Sequence, residues 1–245
     1  MIRKFVFDVD GTLTPSRKKI DKEFAEFFLD FCSKNLVYLV TGSDKPKTVE
    51  QIGEEIFNSV QMSFNCAGNE VWNKSTLVYS SVWKPNKEVT DYLELLLSES
   101  QFPERSGNHI EYRKGMVNFS VVGRKCSNEQ RENYKLWDTK SQERVYLSEK
   151  IRSKFPNIDV YIGGETGLDI FEKGKGKSQA IEVIRTSDDD VLYYFGDQVF
   201  PGGNDFEAAM LCNYQPQIES WQDTYYSLLI MDELENENRN YGVNI

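Results

Sequence analysis

Two aspartates, Asp8 and Asp10, flank one valine in "FVFDVDGTLT", directly behind an apolar run and directly ahead of Gly11. Carboxylates so placed can divide two roles: one attacks phosphorus to give an aspartyl phosphate, and the other handles the leaving-group proton. Alternation along a strand would put both on one side, a rule that a loop at the strand end can break. Gly11 lets backbone N–H groups come close to a phosphate. A lone D-x-D is common by chance and reads as an acidic turn or a passive cation site. Here "TGSD" follows a second apolar run and "FGDQVFPGGND" ends a third, which adds Asp197 and Asp205 to the set. Three or four carboxylates in one crevice repel each other and raise each other's pKa unless a cation holds them. Hard oxygen ligands with open positions suit Mg²⁺.

The acids need a sheet to bring them together. "KFVFDVD" reads as a buried strand of a parallel sheet, Asp21 to Lys34 as an amphipathic helix with Phe24, Phe27, Phe28 and Phe31 at helical spacing, and "LVYLV" as a second strand. A helix from Pro46 to about Phe57 follows, with proline near its start. Strand, helix, strand, helix is the pattern of a βαβ sheet, whose ligands sit at the carboxyl ends of its strands. From Asn69 the pattern changes: "NEVWNKSTLVYSS" reads as a hairpin, "PNKEVTDYLELLLSES" as a helix, and "HIEYRKGMVNFSVVG" as two strands across Lys114-Gly115. "SNEQ" at Ser127 to Gln130 fits a capping box, and "DVYIGG" and "LDIF" read as two more strands. The βα pattern resumes with the helix "KSQAIEVIRTS" and the strand "VLYYFGD". Asp8, Asp10 and Asp197 would then share one sheet edge, with Asp205 nearby. The expected organisation is a core from 1–81 and 173–230, an inserted α+β module over 82–172, and a frayed polar tail over 231–245.

In 245 residues there are 29 Lys plus Arg and 39 Asp plus Glu, a net charge of -10 that argues against nucleic acid and acidic membranes as partners. No stretch approaches the ~20 apolar residues of a membrane helix. Cys32, Cys66, Cys126 and Cys212 are widely spaced and form no C-x-x-C pair, so a reducing compartment and a cytoplasmic protein are expected. "GKGKS" fails as a phosphate-binding P-loop because Phe171 stands where that pattern needs glycine. His109, the only histidine, lies in no "RHG" or G-x-S-x-G setting and reads as a strand-end residue.

The stretches "FDVDGTLTPSR", "GSD", "EYRKGM", "NFSVVGRKCS", "EQRENY", "IGGETGLDIF" and "FGDQVFPGGND" resemble the haloacid dehalogenase superfamily and, within it, the eukaryotic-type phosphomannomutase branch. The resemblance runs from about Phe5 to Asp205 and fades beyond. It implies an α/β fold: a Rossmann-like parallel-sheet core with an inserted α+β cap, through which members often dimerise. It also implies residue roles. Asp8 would be the nucleophile and Asp10 the general acid/base. Mg²⁺ would be held by Asp8, the Asp10 carbonyl and Asp197, with Asn204 and Asp205 in support. Thr41 or Ser43, with Lys177, would hold the transferring phosphate, and Arg17, Arg113, Arg124, Arg131 and Asp169 would contact a hexose phosphate substrate. The chain departs from the family at Gly167, where a serine is usual, so a hydroxyl contact to the substrate is missing.

A mutase must present each of two phosphates in turn, one at the aspartate and one far from it, and guanidinium groups grip phosphate bidentately. The arginines of the inserted module give a distal site more positive charge than a simple phosphatase needs. The expected activity is interconversion of mannose 6-phosphate and mannose 1-phosphate, with the glucose pair open, primed by hexose 1,6-bisphosphate. Two alternatives stand beside it: a sugar-phosphate phosphatase on the same fold, and a non-catalytic sugar-phosphate binder, for which Asp10 would have no use.

Overall fold

Behind Asp8 the chain forms β1 (Ile2–Phe7), whose last four residues are buried. The computed structural model describes the backbone of residues 2–240 and the side chains of residues 2–234. α1 (Lys22–Lys34) is opened by Asp21, whose side chain accepts from the Glu23 and Phe24 N–H groups, and it buries Phe24, Phe28, Phe31 and Cys32. β2 (Leu36–Val40), α2 (Lys45–Ser59) and β3 (Met62–Asn65) follow, so the βαβ pattern holds. Gly53, at φ 81°, kinks α2.

The hairpin β4 (Glu70–Asn73) and β5 (Thr76–Ser80) adds two antiparallel strands to the same sheet. After it come α3 (Lys87–Glu99), β6 (Ile110–Arg113), β7 (Met116–Phe119), α4 (Asn128–Ser141), α5 (Glu143–Lys154), β8 (Ile158–Gly163) and β9 (Gly167–Glu172). Their strands form a separate antiparallel sheet in the order β6-β7-β9-β8. The Ser127–Gln130 capping box is present at the start of α4.

The chain then returns through α6 (Ser178–Ile184), β10 (Asp190–Phe195), α7 (Phe206–Met210) and α8 (Trp221–Asn240). The core sheet has the order β10-β1-β2-β3-β4-β5, with β10, β1, β2 and β3 parallel. The architecture is thus a Rossmann-like core with an inserted cap. Residues 231–240, expected as part of a frayed tail, instead continue α8, and Met231 packs against the core cluster around Phe24 and Phe28. A helix anchored by Trp221 and Tyr225 against α1 carries the polar residues beyond it in register. Residues 241–245 of that expected tail lie outside the described residues.

Strand alternation divides the cap sheet into two faces. Val117, Phe119, Leu168 and Ile170 pack under the cap helices, while Met116, Tyr161 and Phe171 meet Cys66 and Ala67 of the core. The same period places Glu111, Arg113, Asn118 and Asp169 toward the space between cap and core, where they line one cavity.

Candidate active site

β1 and β10 run in register with Phe7 beside Phe195, and the Asp8 N–H donates to the Phe195 carbonyl at 2.9 Å. Asp8 and Asp197 therefore leave the sheet at the same carboxyl edge. One carboxylate oxygen of each of Asp8, Asp197 and Asp205 lies within 4.8 Å of the others. Lys177, just before α6, reaches into this cluster: its Nζ is 2.8 Å from Asp8 Oδ1 and 2.8 Å from Asp205 Oδ1. Asp205 Oδ1 also accepts from the Tyr194 hydroxyl, and Oδ2 accepts from the Gln198 N–H at 3.1 Å.

Burial raises the Asp8 carboxyl well above its usual range; Lys177 opposes this, and Asp205 and Asp197 add to it. Asp197 is pushed up to about 7 by burial and by Asp205. For Lys177, burial would favour the neutral amine, but Asp205 and Asp8 outweigh it and raise its pKa. Desolvating an ammonium costs several kcal/mol, so Lys177 stays charged because two carboxylates share it.

The donor set fits a hard divalent cation. Asp197 Oδ1 and Asn204 Oδ1 are buried with no hydrogen-bond partner among the described residues, and both are hard oxygens. Asp205 spends both oxygens on protein donors, which makes it a support to the cluster rather than an open ligand. Gly11 is required here: at φ +90° any Cβ would sit 2.8 Å from Asp197 Cγ.

Asp10 lies apart from the cluster. β1 has ended, and Asp10 belongs to a turn closed by its bridge to Thr14. Its Oδ1 accepts from the Arg17 N–H and, at 2.9 Å, from Gln51 Nε2. Arg17 adopts φ 59°, a left-handed backbone that side chains seldom take, and the bond to Asp10 holds it there. The loop after β2 is pinned from behind, with the Thr41 N–H on the Phe64 carbonyl and the Ala67 N–H on the Thr41 carbonyl, both within 2.9 Å.

A cavity of about 320 Å³ joins these groups to the cap. Asp8, Asp10, Arg17, Thr41, Ser43, Arg113, Arg124, Arg131, Asp169, Lys177, Asp197 and Asn204 all line it; Asp205 stands behind its wall. Burial first, and then the nearby Arg124 and Arg131, lower the Arg17 guanidinium to about 10, while Asp10 opposes the shift. Arg131 is countered by Glu165, at 3.5 Å.

Gly167 has a structural reason. A Cβ there would lie 2.8 Å from Asn118 Nδ2, and that nitrogen donates to Asp169 Oδ1 at 2.8 Å. Asp169 Oδ2 accepts from Asn204 Nδ2 at 3.1 Å, so the carboxylate is oriented by one amide of the cap and one of the core. Sequence reading missed Asn118, Gln51, Tyr194 and Glu111. Glu111 carried a signal, since it stands two residues before Arg113 on a strand and must share its face. Gln51 carried none, because a polar residue buried on a helix shows itself only in three dimensions.

Comparison with known proteins agrees with this geometry. The model of the family "Eukaryotic phosphomannomutase" matches residues 24–227. The phosphomannomutase of Saccharomyces cerevisiae is 31% identical over 211 residues, 82% of this chain and 83% of that protein. That of Spinacia oleracea is 32% identical over 210 residues, 82% of this chain and 84% of that protein. In fold, an IMP-nucleotidase of Plasmodium falciparum superposes with a TM-score of 0.64 at 16% identity, over 93% of this chain and 67% of that one. A haloacid dehalogenase-like hydrolase from Bacteroides thetaiotaomicron does so with a TM-score of 0.57 at 14% identity, over 94% of this chain and 100% of that one. Such identities speak for the fold alone, whereas the matches above 30% reach further, and the chain belongs to the eukaryotic phosphomannomutase family.

Proposed function

We propose that this protein interconverts mannose 6-phosphate and mannose 1-phosphate through a phosphate carried on Asp8. One juxtaposition carries the reading: a buried acid–lysine cluster and a group of guanidinium ions face each other across a single cavity sized for a small ligand. In this scheme Lys177 holds Asp8 Oδ1, which leaves Oδ2, with no hydrogen bond among the described residues, to attack phosphorus. Lys177, Thr41 and Ser43 hold the transferring phosphate. Asp10, steadied by Gln51 and the Arg17 N–H, gives a proton to the departing sugar oxygen and takes one from the attacking hydroxyl. Arg17, Arg124 and Arg131 hold whichever phosphate lies far from Asp8, and Asp169 meets the sugar; Arg113, expected with them at the substrate, has its guanidinium taken up by Glu111 and the Gly42 carbonyl.

Mg²⁺, on Asp8, Asp197 and the Asp10 carbonyl with Asn204 and Asp205 in support, would supply the charge that lets an anionic carboxylate approach an anionic phosphate. The cycle needs a trace of hexose 1,6-bisphosphate to phosphorylate Asp8. Residues 82–172 serve as the cap in this reading, 1–81 and 173–230 as the core, and the cap would also join two copies in a homodimer. Among the described residues no helix is long and apolar enough to cross a membrane. Four unpaired cysteines suit a reducing cytoplasm, and the net charge of -10 weighs against a nucleic-acid partner.

The test is phosphorus NMR of the protein with Mg²⁺, mannose 1-phosphate and a trace of glucose 1,6-bisphosphate. The 6-phosphate signal should grow with little inorganic phosphate, and D8N should abolish it while leaving the circular dichroism unchanged. Inorganic phosphate alone would make the protein a phosphatase, and no turnover would leave a binder.

A further inference from the structure

Glu111 is an acid placed where anionic substrates would have to enter, and the roles given above to its neighbours do not use it. Its two oxygens are divided between two arginines. Oε1 accepts from Arg113 Nε at 2.6 Å, with Arg113 Nη2 also 2.6 Å away, and Oε2 accepts from Arg124 Nε at 2.7 Å. Burial would raise the Glu111 carboxyl, but Arg113 and Arg124 outweigh it and hold it below its ordinary value, so it stays an anion.

Each arginine is thereby aimed. Gripped at Nε, Arg124 keeps its Nη1 and Nη2 edge for a second anion, and neither nitrogen has a hydrogen-bond partner among the described residues. Arg113 extends the other way: its Nη1 donates to the Gly42 carbonyl at 2.8 Å. Gly42 lies between Thr41 and Ser43, so this bond ties the cap to the loop beside Asp8. Every nitrogen of the Arg113 guanidinium is engaged by the protein itself.

We propose that Glu111 is a positioning residue that sets the partition of the Asp8 phosphate between sugar and water, by presenting Arg124 to the distal phosphate and by holding Arg113 on Gly42 so that the cap stays shut. This rests on the mutase reading. The O–P bond to Asp8 breaks in either case. Phosphorus bonds to a sugar hydroxyl, whose proton passes to Asp10, or to water, which yields inorganic phosphate. A shut cap admits the bound sugar and keeps water out.

The experiment follows 6-phosphate and inorganic phosphate together, by phosphorus NMR, in the full-length protein with Mg²⁺, mannose 1-phosphate and a trace of glucose 1,6-bisphosphate. E111Q should raise the ratio of inorganic phosphate to 6-phosphate at least tenfold and raise KM for mannose 1-phosphate about as much, and E111D should restore part of both. R113Q, which leaves the pairing of Glu111 with Arg124 in place, should raise the ratio with a smaller change in KM; it serves as the test if E111Q fails to fold. An unchanged ratio in a folded variant overturns the proposal. A wild-type protein that makes no 6-phosphate overturns the mutase reading itself, and the two failures are told apart by that control.

Discussion

Asp169 shows how a single side chain of the cavity is oriented by its neighbours. Asn118 holds one of its oxygens and Asn204 the other, and the backbone at Gly163 leaves no room for a Cβ beside it, which would lie 2.3 Å from Asp169 Oδ2. From the sequence, Gly167 reads as the loss of a serine hydroxyl; in three dimensions it is the gap that Asn118 fills. Restoring the serine should therefore do harm. G167S is expected to push Asn118 off Asp169 and raise KM for mannose 1-phosphate roughly 10–100-fold, the weight of one hydrogen bond to a charged group, with a smaller change in kcat. Steady-state kinetics decide it: a lower KM would mean that the hydroxyl contacts substrate and Asn118 does not matter. The meeting of Asp8 with Asp197 was legible at this scale because each closes an apolar run, whereas Lys177 entered only through the family resemblance. Asn118 was not, since an asparagine in a strand has nothing local to mark what it will face across the sheet.

At the scale of elements, the pairing of β1 with β10 positions Asp8 beside Asp197, and a buried ion pair braces it. Lys4 Nζ lies 2.6 Å from Asp190 Oδ2, and the Thr186 and Ser187 N–H groups donate to the same oxygen at 2.8 and 3.0 Å. Lys4 and these donors outweigh burial and hold the Asp190 carboxyl below its ordinary value of 3.8. A depressed carboxyl contributes stability that is whole above the unfolded value and lost as pH falls toward the folded one. Thermal melting of wild type should thus drop steeply below about pH 4, where unfolded aspartate takes up its proton. D190N should melt about 5–10 °C lower at pH 7 and show a shallower acid slope. An equal slope in both proteins would remove Asp190 from the acid transition. Helices α1, α3 and α6 were legible in the sequence because apolar spacing is local: Val89, Leu93 and Leu96 face inward on α3, as do Ala180, Ile181 and Ile184 on α6. Helices α5, α7 and α8 were not, and polar composition alone does not reveal that the start of α8 is anchored to α1.

At the scale of the whole molecule, cap and core meet through backbone as well as side chains. The Ile162 N–H donates to the Gly202 carbonyl at 2.8 Å, and the Asn204 N–H donates to the Ile162 carbonyl at 3.0 Å. The loop that carries Asn204 and Asp205 to the acid cluster is thus also a docking strip for the cap, so closure and the order of the cluster are linked. Adding Mg²⁺ and glucose 1,6-bisphosphate should slow hydrogen exchange at the Ile162 and Asn204 amides tenfold or more, since each opening must then release a bound ligand. Mass spectrometry of peptides over 158–163 and 202–206 reads this; exchange that ignores the ligand would mean that the cap does not open there.

The acid motifs, the strands that end in them and the change of pattern that marks an inserted module are all local features, because turn chemistry and hydrophobic period act over a few residues. The folded chain adds that Asp205 turns both oxygens to Lys177, Tyr194 and the Gln198 N–H, that Asp10 faces Gln51, and that Glu111 joins two arginines. Those partners lie on separate elements, and their geometry follows from sheet register and from the seating of cap on core, which no local pattern encodes.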